Sequence, residues 1–150
     1  MIPQDINSEV MAAFIKRFTL SNKDGKDERS VVVDGIIYPI YSTVPKGVPF
    51  NYILMNPVEY IDDSAKDTDS YECTQLWDIV TFGGERGSWK PCLSIATDIK
   101  RKVMKQDITT ENFKSTVEPI IDSSIHQTME VENGLIMRSL IRFRFNIQQT

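Results

Sequence analysis

The chain has 150 residues, 41% of them hydrophobic and 25% charged, which suits one globular domain able to bury roughly two-thirds of its unfolded surface without disulfide or metal staples. A formal net charge of −4 weighs against a protein that wraps nucleic acid through a clustered basic surface. No run of about 18 apolar residues occurs, and the first residues carry no basic stretch followed by an apolar one, so neither a membrane span nor a signal peptide is expected.

From the start of the chain, Ile6, Val10, Ala13, Phe14 and Phe18 recur at three- and four-residue spacing. That pattern predicts an amphipathic helix lying on a sheet, with Lys16 and Arg17 near its negative end. Residues 21–30 are almost wholly polar and read as a mobile loop. Short strands are predicted over residues 31–33 and 36–40, joined by an Asp34-Gly35 turn. Pro45, Gly47 and Pro49 then resist both helix and central strand and suggest an extended crossover. Residues 52–61 return to strand, with Pro57 marking a bulge or an edge. The acidic stretch 62–70 reads as a solvated loop.

A long strand is predicted from Ser70 to Phe82. Tyr71, Cys73, Trp77, Ile79 and Thr81 share one face, and Glu72, Thr74, Leu76, Asp78, Val80 and Phe82 share the other. Large apolar groups occupy both faces toward its end, which predicts a central strand covered on both sides there. Gly83 to Gly87 breaks it. Pro91 then suits the first turn of a helix whose stripe is Cys92, Ile95, Ala96, Ile99 and Val103, with Lys100, Arg101, Lys102 and Lys105 crowding its end. Residues 110–116 suggest a short helical turn, and residues 120–125 a brief strand or loop.

The chain ends on its clearest pattern, a hairpin over residues 129–147 with Asn133-Gly134 as its expected type I′ turn. In the second arm Leu135, Met137, Ile141, Phe143, Phe145 and Ile147 point to the core, and Arg138, Arg142, Arg144 and Asn146 point away. Together these elements predict an α/β (α+β) fold: a mainly antiparallel β-sheet with a long C-terminal hairpin, flanked by two amphipathic helices.

No residue pattern specifies chemistry. His126 is the sole histidine and lacks companions at metal-ligand spacing. Cys92 sits on an apolar stripe where a thiolate is disfavoured, so a Cys92/His126 nucleophile pair is not expected. Both Cys73 and Cys92 read as reduced core thiols, which favours assembly inside a cell. The turn after Phe82 lacks the spacing of a phosphate-binding glycine loop, and the acidic stretch lacks the order of a calcium loop. The expectation is no enzyme, no cofactor and no metal. The three arginines have two readings: a solvated face paired with acids such as Glu72 or Asp78, or a face used against a partner subunit.

Several segments taken together resemble the phage tail-terminator, or tail-completion, family. They are Gly35-Ile36-Ile37-Tyr38-Pro39, the crossover from Pro45-Lys46-Gly47 through Pro49-Phe50-Asn51-Tyr52, Leu76-Trp77-Asp78-Ile79, the Ile95-Ala96-Ile99-Val103 helix, and Arg138-Ser139-Leu140-Ile141-Arg142-Phe143-Arg144-Phe145. The resemblance spans most of the chain; the charged insertion at 21–30 and the length of 106–124 depart from it. It implies one tail-terminator-like domain over residues 1–150 and a homo-oligomeric ring at the head-tail junction of a bacteriophage virion. Such a ring caps the tail tube, joins it to the head connector, and lets DNA pass without specific binding or any membrane contact. It would be made in the host cytoplasm. The implied mechanism is surface complementarity between heterologous patches in a closed array. Arg138, Arg142 and Arg144 are the candidate anchors for acidic residues of the polar arms, Asp62, Asp63, Asp67 and Asp69. The alternatives are another phage neck, adaptor or tail-barrel ring protein, and, from a different class, a small cytoplasmic enzyme or ligand-binding domain.

Overall fold

The computed structural model describes residues 5–21, 27–65 and 68–150. Helix α1 spans Ile6–Lys16, and the Asp5 carboxylate caps it by accepting from the Ser8 amide at 3.3 Å. Its stripe of Ile6, Val10 and Phe14 is buried. Phe14 meets Phe145 edge-on at 5.7 Å, and Phe18, just past the helix, lies 5.3 Å from Trp77. The helix therefore lies on the sheet, as its periodicity predicts.

The polar stretch that follows is not simply a loop. Strand β1 (Thr19–Ser21) pairs antiparallel with the start of β2 (Asp27–Val33), and residues 22–26 lie outside the described residues. Backbone pairing needs no apolar side chain, which is why a polar ribbon escapes a search for hydrophobic periodicity. Asp34 and Gly35 take φ of 51° and 78°, the left-handed pair of a type I′ turn, and lead into β3 (Ile36–Tyr41). After the crossover, β4 (Tyr52–Met55) runs parallel to β3, and β5 (Glu59–Asp62) follows in line with it. Both pair with the same long strand, β6 (Ser70–Gly84), and the break at Pro57 separates them.

Strand β6 is central, as its two apolar faces predict. On the face away from the helices Val80 is buried, and Phe82 stacks on Phe50 of the crossover at 5.1 Å. Helix α2 (Lys90–Val103) buries Cys92, Ile95, Ala96, Ile99 and Val103, the stripe read from the sequence. Its end is tied to α1 by Arg17, which donates to the carbonyls of Lys102 and Asp107, each at 2.9 Å.

Two expectations about the last third are corrected. Residues 113–116 are not a helical turn, and the strand at 120–125 is not brief: β7 runs over Phe113–Val131. Three register shifts, between Ser115 and Val117, Val117 and Ile120, and Ile121 and Ser123, change which side chains face the core, so no simple alternation survives in the sequence. The hairpin turn is also displaced by one residue. Val131 pairs with Gly134, leaving Glu132-Asn133 as the loop, and Asn133 does not adopt positive φ. Gly134 instead opens β8 (Gly134–Gln149) at φ 147°, pressed so close to β6 that an added Cβ would stand 2.5 Å from the Gly84 carbonyl oxygen. That glycine serves close approach between strands rather than a type I′ turn.

The sheet order is β1-β2-β3-β4-β6-β8-β7, with β5 beside β6. Met137, Ile141, Phe143, Phe145 and Ile147 of β8 are buried beneath the helices, and both cysteines are free and buried. Replacing Phe143, fully buried, with Ala is expected to cost about 3 to 5 kcal/mol, read as a lowered midpoint in urea unfolding with an unchanged slope.

Candidate assembly surfaces

Both helices cover one face of the sheet, so the even-numbered residues of β6 and β8 form an outer face, closed near Val80, Phe82 and Ile136 and open toward the other end. The arginines of β8 lie along it in register with β6: Arg138 opposite Val80, Arg142 opposite Leu76 and Arg144 opposite Thr74. They are not equivalent. Arg138 forms a bidentate pair with Asp78, Nε to Oδ1 at 2.9 Å and Nη2 to Oδ2 at 2.7 Å. The Asp78 side chain is only 7% exposed against 40% for its partner. This carboxylate holds the Arg138 guanidinium above its ordinary pKa through direct hydrogen bonds. Tyr52 borders the pair, and its phenol is pushed up first by burial and then by the Asp78 charge. Asp78 is one of the two acids named from the sequence as partners for the arginine row.

Arg142 reaches Glu59 of β5 at 3.8 Å, where the glutamate side chain is 80% exposed. A pair this loose and solvated contributes at most about 1 kcal/mol. Arg144 is exposed and has no ion pair among the described residues. The acidic candidates lie toward the same end of the sheet, but Asp62, opposite Tyr71, is on the helix-facing side. Asp62 pairs with Tyr71 in the β5–β6 ladder, its carboxylate accepts from the Ser64 amide at 2.8 Å, and those hydrogen bonds hold it below its usual range. The Asp63 amide donates to the Ser70 carbonyl and the Asp69 carbonyl accepts from Gln149, so main-chain bonds anchor the ends of the loop. Asp67 lies outside the described residues. Arg142 and Arg144 thus share one end of the outer face with Glu59 and Glu72, which stand opposite Thr74 and Asn146 in the ladders, while Arg138 is already occupied nearer the other.

The helix-facing side holds two polar networks that the pattern reading missed. Ser139 is fully buried between Met137 and Ile141, and its hydroxyl lies 3.1 Å from Cys92 Sγ and 2.7 Å from His126 Nδ1. The serine thus joins the two residues considered as a nucleophile pair. Burial pushes the Cys92 thiol up and disfavours a thiolate; Cys73 is likewise raised to about 12 by burial. Gln75, also buried, donates to the Asn56 carbonyl at 2.8 Å and accepts from Trp77 Nε1 at 3.0 Å, which fixes the break between β4 and β5 onto β6. In both cases the available signal was a polar residue interrupting a run of core-facing apolar ones. Among the described residues no three His, Cys, Asp or Glu side chains converge as metal ligands, and no helix is long and apolar enough to cross a membrane.

The fold matches a chain in a solved structure titled as the virion of a native gene transfer agent particle, with a TM-score of 0.60 at 15% identity, over 73% of this chain and 78% of that one. No family model matches the sequence, and no curated protein does.

Because Asp78 is the more buried partner, Arg138→Ala is expected to destabilise more than Asp78→Ala. A double-mutant cycle measured by chemical denaturation should return a coupling of about 1 to 3 kcal/mol between them.

Proposed function

We propose that this chain is a structural virion protein that assembles as a homo-oligomeric ring at the head-tail junction of a bacteriophage, capping the tail tube and meeting the head connector, with no catalytic step. The observation that carries this reading is the fold likeness to a chain of a virion particle across most of both chains. It is joined by the order of motifs along the sequence and by a formal net charge of −4, which suits a channel that lets DNA through without holding its phosphates. The work of such a protein is done by its surfaces. On the outer face Arg142 and Arg144 beside Glu59 and Glu72 offer complementary contacts to an adjoining virion component, with Asp62, Asp63 and Asp69 at the same end of the sheet, whereas Arg138 holds the face together through Asp78.

This division alters which substitutions test the surface. Reversing Arg138 would strand a buried carboxylate and confuse folding with assembly. The pair Arg142→Glu and Arg144→Glu avoids that: the double variant is expected to keep the wild-type circular dichroism and unfolding midpoint while losing incorporation into particles. Normal incorporation would remove the arginine face from the assembly. The ring itself is tested by sedimentation of the full chain, where a discrete multiple of 17.2 kDa is expected; a species that stays at 17.2 kDa at every concentration and does not join particles would overturn the proposal.

A further inference from the structure

The two ends of the sheet are unfinished. At one end β1 covers only residues 27–29 of β2, and the last contact along that edge is the Ser30 amide donating to the Phe18 carbonyl. Beyond it, residues 31–33 pair with β3 on one side and face a groove of about 400 Å³ on the other, whose far wall is Asp98, Arg101 and Lys102 of α2. Ser30 lines the same groove, and its hydroxyl is the buried side-chain polar atom without a hydrogen-bond partner among the described residues. Val32 is 48% exposed.

At the other end β7 is the terminal strand. Its register shifts all lie before Ser123, and from there to Val131 it is a regular strand whose outer edge has no strand neighbour among the described residues. Ile125, Met129 and Val131, which share the outer face, are 49%, 53% and 37% exposed. A long regular edge bearing apolar side chains is a template for another strand unless something covers it.

The ladders relate the two edges. Following the pairs Ser30–Pro39, Ile40–Ile53, Ile53–Ile79, Ile79–Ser139 and Ser139–His126 across the sheet sets Arg29 level with His126. Val32 is then level with Met129, and Ser30 with Gln127. Alternating strand directions along that path also leave β2 and β7 pointing the same way. Rotation about a ring axis running along the strands preserves both level and direction.

We propose that β7 of a second copy adds to the free edge of β2 as a parallel strand, filling the groove beside α2 and making one sheet continuous around the ring. The joint rests on the ring reading above. It pairs residues 128–130 of one copy with residues 31–33 of the next, just past the Phe18–Ser30 contact, sets Met129 against Val32, and is heterologous, so it closes rather than stopping at a dimer. Closed sheets are staggered; a stagger of two residues keeps the same face and exchanges Met129 for Gln127 or Val131.

The test is cross-linking of full-length chains carrying Val32→Cys or Met129→Cys, with Val131→Cys as a second β7 position and a short bifunctional maleimide. The native cysteines are buried and should not react. Mixing a β2 variant with a β7 variant should give a covalent dimer, each alone should stay at 17.2 kDa on a denaturing gel, and the double variant Val32→Cys/Met129→Cys should give a ladder ending at the ring. Thr128→Cys, on the opposite face, should cross-link to Val32→Cys at least several-fold less. If unmodified protein sediments as a ring but the mixed dimer does not form, or if either single variant links to itself equally well, the joint is wrong and the ring reading stands. If the protein never associates, both fall.

Discussion

The pairing of β6 with β8 is the constraint on which the rest of the molecule depends. It runs from Ser70 opposite Gln148 to Phe82 opposite Ile136 without a break, with one shift before Gly84. Because side chains alternate, that register decides every burial on both strands at once. Trp77, Ile79, Ile141, Phe143 and Phe145 fall beneath the helices, while Asp78 and the arginines fall outside. A slip of β8 by one residue would put its three arginines under α1 and α2 and its Met137, Ile141, Phe143, Phe145 and Ile147 in water. The Asp78–Arg138 pair bridges the two strands diagonally, Arg138 standing opposite Val80. It acts as a polar check on the register that the apolar contacts favour.

How much of this was legible follows from what each strand buries. Strands β6 and β8 each have one face closed by helices, so selection for burial writes a period of two into the sequence, and both were readable with their faces. Helix α2 was readable to the residue because its stripe packs wholly inward. Strand β7 has a single strand neighbour and is exposed over most of its length, so its side chains are free to vary and its register shifts scramble what alternation remains. Strands β1 and β2 begin as a ribbon held by backbone pairing, which leaves no mark on composition. The tight turn at Asp34-Gly35 declared itself, whereas Asn133-Gly134 misled by one residue because Gly134 answers to a tertiary neighbour, the Gly84 carbonyl, rather than to the local turn.

The candidate surfaces were legible in part for the same reason. An arginine row on one strand is visible in sequence, but which arginine is occupied depends on the neighbour across the ladder, and only the β6–β8 register identifies Asp78. The link from Cys92 through Ser139 to His126 shows the converse. Two residues far apart in sequence do come together, through a third, but under α2, where burial raises the thiol and leaves it a packing residue.

The arrangement of the sheet also bears on how such a domain is used. Placing both helices on one face closes a single core and leaves the other face dependent on its own side chains. Here Arg138, Asp78 and Tyr52 meet that need near one end and the Phe50–Phe82 stack extends it. Edges are harder to close, since a backbone donor or acceptor can be satisfied only by water or by another strand. β7 carries its bulges in the half that borders residues 105–115, where local bridges such as Thr109 to Lys114 already protect it, and is regular in the half whose outer edge meets no other strand among the described residues. If bulges served only to discourage pairing, the unprotected half is where they would be needed. Their absence from residues 123–131 leaves a regular edge there, as the proposed joint between copies requires.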